Sequence, residues 1–160
     1  MLMAYFDDAG MHRTSDIVVI DFVTGSDATW DRFERKWKAQ LLNPLPGKPP
    51  LRKFHMTACM ARTEGFEGYS DAERDAVIKV FRDIILAHPL HGRAIAVSRH
   101  DWDRLIVGPW RIFFGDAESF CLRDCMDHSL HWAVNNPGDK KVTLIFDDGQ
   151  EMKRRTLLIA

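Results

Sequence analysis

Two apolar runs constrain this chain more than any other feature: residues 2–6, LMAYF, and residues 17–23, IVVIDFV. Between them Asp8, Gly10 and Ser15 are turn formers, so the pair predicts two strands joined as a long antiparallel hairpin. The polar punctuation repeats at the far end of the chain. YFDDAG at 5–10 and IFDDGQ at 145–150 both carry an apolar strand into two aspartates and a glycine.

The hairpin leads into TWDRFERKWKAQLL, where Trp30, Phe33, Trp37 and Leu41 fall at helical spacing and Arg32, Arg35 and Lys36 occupy another face. Pro44, Pro46, Pro49 and Pro50 then exclude both helix and central strand. Ser70 and Glu73 have the spacing of a capping box, followed by an apolar stripe of Val77, Phe81, Ile84 and Ile85, which predicts a second helix ending near His88 and Pro89. GRAIAVSRH reads as a third strand, Pro109 and Gly115 as loop markers, DAESFCLRDCMDHSLHWAV as a third helix and KKVTLIF as a fourth strand. The helix between the third and fourth strands suits a crossover that lays the fourth parallel to the first. The expected fold class is therefore α/β or α+β, with a mixed sheet flanked by helices.

At 160 residues the chain fits one domain. With 46% hydrophobic and 28% charged residues it has the composition of a soluble globular protein. No apolar run approaches the ~20 residues that span a bilayer, and MLMAYF lacks the basic flank and cleavage site of a signal peptide, so a cytoplasmic protein without a membrane partner is expected. Cys59, Cys121 and Cys125 cannot all pair within one chain, and reduced core thiols are the expectation. A net charge of −1 argues against nucleic-acid binding by overall charge but leaves room for a local basic face.

If the first and fourth strands are parallel neighbours, Asp7 and Asp147 emerge at the carboxyl edge of the sheet, where open α/β sheets hold ligands. Steps of three and four from Glu118 reach Cys121, Leu122, Cys125, Ser129 and Trp132, so Glu118 is expected on the core face of its helix. Asp116 falls on the polar side, as a helix-start residue. A carboxylate on a buried face must be paired, protonated or bound to a metal. Converging acids with oxygen ligands favour Mg²⁺ or Mn²⁺, which activates water and neutralises charge on a phosphoryl group. The plainer alternative is that both aspartate pairs serve as turn chemistry.

YFDDAG resembles the Tyr-Ile-Asp-Glu-Ser-Gly opening of domain-of-unknown-function family 3800, and FHMT at 54–57 resembles its following Phe-His motif. The Trp30, Phe33, Trp37 pattern and IFDDG are also similar to that family. The resemblance implies a ribonuclease-H-like fold over residues 1–160, with a helical insertion at about 28–88. It implies that Asp7, Glu118 and Asp147 bind two divalent ions, Mg²⁺ or Mn²⁺, in a nuclease acting on DNA or RNA. Family members continue through another strand and helix with a Leu-Gln-x-Ala-Asp-like motif, whereas this sequence stops at RRTLLIA, a C-terminal truncation relative to the family. The fourth ligand would then fall to Asp148 or Glu151, or to residues beyond Ala160. The alternative is a degenerate, non-catalytic module of the same fold that binds nucleic acid or protein.

His55, in the loop after the prolines, is a further catalytic candidate as metal ligand, substrate contact or proton shuttle; its plain reading is a local hydrogen-bonding residue. Cys59 with His55 lacks a third orienting group for nucleophilic catalysis. His128 and His131 lack the zincin pattern and read as surface residues. Arg32, Arg35, Lys36, Arg52, Lys53 and the run Lys153-Arg154-Arg155 could hold a phosphate backbone, or be solvated charges balanced by Asp31 and Glu34. Trp110, Phe113 and Phe114 are candidates for stacking on bases or for the core. No hydrolase elbow, Walker loop or dinucleotide fingerprint occurs.

Overall fold

The structure is a computed structural model and describes residues 1–10, 14–135 and 141–146. Its order is β1 (Leu2–Ala9), β2 (Ile17–Ser26), α1 (Asp27–Leu42), α2 (Met56–Ala61), α3 (Asp71–Leu86), β3 (His91–Ser98), α4 (Arg99–Leu105), α5 (Pro109–Phe114), α6 (Ala117–Asn135) and β4 (Val142–Phe146). It divides into two compact units, one made of Met1–Asp27 with His91–Ala160 and the other of Ala28–Leu90.

The first unit carries a four-stranded mixed sheet in the order β3-β2-β1-β4. β1 pairs antiparallel with β2, β2 antiparallel with β3, and β1 parallel with β4, as the hairpin and the helical crossover require. One face of the sheet is buried. Ala4, Phe6, Val18, Ile20 and Phe22 point inward against Cys121, Leu122 and Cys125 of α6 and Trp102 of α4. Phe6 sits between Phe22 and Phe146, with ring centroids 5.6 and 4.8 Å away, so aromatic contact ties three neighbouring strands. Each such ring removes roughly 150–250 Å² from water, the largest stabilising contributions available to this layer.

Three short helices escape the sequence pattern. α2, α4 and α5 span one or two turns each, too few residues to display a helical period. β3 was expected to run on through His100, but it ends at Ser98, whose hydroxyl accepts from the Asp101 amide at 3.2 Å and caps α4. β1, expected to stop at Phe6, continues through Ala9 because Asp7, Asp8 and Ala9 pair with Asp21, Ile20 and Val19. The loop expected between Pro109 and Gly115 is α5, started by Pro109 in the first turn.

In the second unit, the rings of α1 stand in series: Trp30 to Phe33 at 5.5 Å and Phe33 to Trp37 at 5.2 Å. Trp37 meets Phe81 of α3 at 4.6 Å, and Phe54 stacks on Phe81 at 4.3 Å. Leu51, Ala58, Cys59, Phe66 and Val77 complete this core. The capping box is formed: Ser70 Oγ accepts from the Glu73 amide, and Glu73 accepts from the Ser70 amide at 2.8 Å. Together with Lys48 this holds the Glu73 carboxyl down at about 2.

Gly10 shows why the first motif ends in glycine. Its φ is +75°, and a Cβ there would lie 1.9 Å from the Ile17 carbonyl oxygen. Gly10→Ala is expected to lower the unfolding free energy by about 2 kcal/mol or more, from left-handed strain plus overlap with β2. Urea unfolding followed by far-UV circular dichroism measures this, and a loss within about 0.5 kcal/mol would contradict the assignment.

Candidate functional site

The parallel pairing of β1 with β4 aligns Phe6 with Phe146, so each strand has an aspartate as its next residue in sequence. Asp147 lies outside the described residues, as do Asp148, Glu151 and Lys153-Arg154-Arg155. Within β1, side chains alternate between the two faces. Leu2, Ala4 and Phe6 are buried, which puts Asp8 on the face covered by α6 and Asp7 on the opposite, exposed face. Asp7 therefore lies on the face of β1 away from α6, the helix that carries Glu118. The physical reason is the register. Asp7 is not at a strand end, where it could turn either way, but two positions inside a paired strand.

Asp7 faces Asp21 directly across the hairpin. Like charges in opposed positions repel, and the neighbouring β2 residue is half-buried. The Asp21 carboxyl is pushed up by burial first, then by the fields of Asp7 and Asp8. Asp7 Oδ1 accepts from the Asp8 amide at 2.8 Å, a turn-like contact within the motif.

Glu118 occupies the first turn of α6, behind Asp116, whose Oδ1 accepts from the Ser119 amide at 2.8 Å and caps the helix. Its side chain is 13% exposed, and its compensation is visible. Arg99 donates to Glu118 Oε1 from Nε at 2.9 Å and from Nη2 at 2.7 Å. The same guanidinium donates from Nη1 to the Ser15 carbonyl oxygen, and the Arg99 amide donates to the Asp16 carbonyl at 2.7 Å. Arg99 thus fastens the start of α4 and the start of α6 to the segment entering β2. Among the described residues, no group of three or more His, Cys, Asp and Glu side chains is placed to hold a metal ion.

His55 belongs to the second unit. It is exposed at the N-cap of α2, its side chain makes no cap hydrogen bond, and its carbonyl accepts from the Cys59 amide at 2.9 Å. Cys59 is fully buried and burial raises its thiol, which disfavours a thiolate nucleophile there. Burial likewise pushes Cys121 up to about 11 and Cys125 to about 12, and all three thiols are free. His128 Nδ1 contacts Asp124 at 3.2 Å and its Nε2 meets Arg93, while His131 pairs with Asn135, so the two imidazoles serve separate contacts. Of the basic residues, Lys53 pairs with Glu64 at 2.8 Å and Arg32 Nη2 reaches Thr29 Oγ1 at 3.4 Å.

Sequence reasoning passed over Arg99 and Asp21. A charge inside IVVIDFV was the available signal for Asp21, since it interrupts an apolar strand on the face opposite Ile20 and Phe22. Nothing local marks Arg99, because its partner is supplied by a helix that docks from another part of the chain. Comparisons with protein-family models, with curated proteins and with solved structures return no match for this chain.

Removing Arg99 leaves a nearly buried carboxylate uncompensated. Arg99→Ala should destabilise by about 2–4 kcal/mol, whereas Arg99→Met combined with Glu118→Leu should recover most of that loss. Equal losses in the single and double variants, measured by urea unfolding, would show that the pair is not the origin. For Asp21 the sign follows from its raised carboxyl: the folded state holds the proton more tightly, so stability falls as pH rises through that group's folded-state titration. Asp21→Asn should stabilise the protein at pH 7 by up to about 1 kcal/mol, with the gain vanishing below the ordinary carboxylate range. A loss of stability at pH 7 would reverse the reading.

Proposed function

We propose that this chain is a metal-dependent phosphodiester hydrolase of ribonuclease-H-like fold, acting on nucleic acid. The observation that supports it is the β1–β4 register, in which two parallel neighbouring strands of a mixed sheet pair up to Phe6 and Phe146, the next residue of each in sequence being an aspartate. The sheet order β3-β2-β1-β4, with α6 crossing from β3 to β4, supports the fold assignment. Asp7 and Asp147 are the residues proposed to hold Mg²⁺ or Mn²⁺, the hard oxygen donors such ions take. Asp8 is the β1 carboxylate on the α6 face. The described acids alone do not fit a complete ion cage, since Glu118 is already bound by Arg99 and no three ligands group together. The ion, when bound, supplies Lewis-acid stabilisation and an ionised water. What the chain itself contributes is orientation: the buried Phe6 row fixes β1, and the Arg99 clamp fixes the start of α6. His55 remains a proposed substrate contact or proton carrier.

A second reading is favoured by the Arg99–Glu118 pair. A carboxylate already neutralised by a guanidinium is suited to a non-catalytic module of the same fold that binds nucleic acid or protein. One experiment separates the two. Under the hydrolase reading, Mn²⁺ at about 100 times its Kd should raise the melting temperature by about 5–10 °C, and Asp7→Asn should remove that rise together with cleavage of an oligonucleotide. A protein that binds the oligonucleotide equally in chelator and in Mn²⁺, with no thermal shift, is the module.

A further inference from the structure

Residues 105–113 expose an unusual amount of apolar side chain. Leu105 is 60% exposed, Val107 57%, Trp110 62%, Ile112 88% and Phe113 70%. Together they present on the order of 600–700 Å², more than the largest apolar patch of about 300–600 Å² on an ordinary monomer. The patch is firmly mounted. Phe114 packs into the core with Trp102 and Phe120, Trp110 stacks on Phe114 at 6.0 Å, and Phe113 meets Phe114 edge-on at 4.9 Å. Gly108 and Gly115, with φ of 57° and 75°, break the chain on both sides of α5 and set this helix apart from α4 and α6.

Charge decides what such a surface fits. A platform for stacking bases needs cations beside the rings to meet phosphates. Here Arg111 is engaged by Asp103 at 2.7 Å, Arg104 by Asp101 at 3.0 Å, and Arg123 by the Phe114 carbonyl at 2.7 Å. The adjoining cavity of about 260 Å³, floored by Phe113, Phe114 and Phe120, is rimmed by Arg123, Asp124 and Asp127. The rim thus carries both signs with acids in excess, which disfavours a phosphate chain.

We propose that this face binds a second copy of the chain through a two-fold interface centred on α5, Ile112 of each copy filling the other's phenylalanine-floored cavity. The available area approaches the about 800 Å² per partner of a standard stable interface. Its apolar centre and its rim of both charges are self-complementary, as an isologous contact requires.

The test is sedimentation equilibrium of the full chain between about 1 and 100 μM. Wild type should approach twice 18.4 kDa at the upper concentration, and Ile112→Asp and, separately, Phe113→Lys should sediment as monomers with unchanged far-UV circular dichroism. Ile112 is so exposed that its replacement leaves the core intact. A wild-type monomer at about 100 μM, or dimers that persist in both variants, overturns the proposal. So does a monomer in which the emission lost in Trp110→Phe is shielded from acrylamide, since another segment of the same chain then covers the face, or is quenched by an oligonucleotide.

Discussion

Burial of a single face of the sheet against α6 is the constraint on which the first unit depends. Once Phe6 is locked between Phe22 and Phe146, strand geometry gives no freedom to its neighbours. Asp7 must face away from α6, and Asp8 must face toward it. A slip of one residue would exchange those roles but would also drive the phenylalanine row into water, at roughly 1.5–3 kcal/mol for each ring exposed. The hydrophobic layer therefore sets the direction of Asp7 and Asp8, although it contains neither.

Electrostatics then fills in what packing leaves. Glu118 is carried into the interior margin because α6 presents its apolar side to the sheet, and Arg99 answers it from the start of α4. The same arginine satisfies a carbonyl in the segment leading to β2, so one guanidinium joins three stretches far apart in sequence. On the other face, the opposed Asp7 and Asp21 have no such answer in their cross-strand pairing, and the field of Asp7 adds to the burial that raises the Asp21 carboxyl. A cation arriving there would relieve repulsion, whereas at Glu118 it would have to displace an existing partner. That difference is why the two carboxylate positions support different functional readings.

The two ends of α6 and the short helices before it divide the labour. The half-buried His91 and Trp132 rings lie parallel at 5.5 Å and close the far end of the helix against β3. α5, by contrast, buries no residue and uses its one inward ring, Phe114, as a mount for the exposed ones. In the second unit the aromatic series from Trp30 to Phe81 builds a core of its own, closed by the capping box at Ser70.

By itself the sequence determined the mixed sheet, the parallel placement of β4 beside β1, the three long helices and the inward side of α6. Each of these is written locally, in the period of apolar residues or in caps and turns. Gly10 belongs with them as a turn former, though the reason only glycine fits is the Ile17 carbonyl of the paired strand. The tertiary structure alone decided that β1 keeps pairing through Ala9 and so holds Asp7 opposite Asp21, that Arg99 neutralises Glu118, and that α4 and α5 are helices at all. Those outcomes depend on which distant surface a residue meets, and a contact between positions 99 and 118 or 7 and 21 leaves no mark on the short-range pattern of either segment.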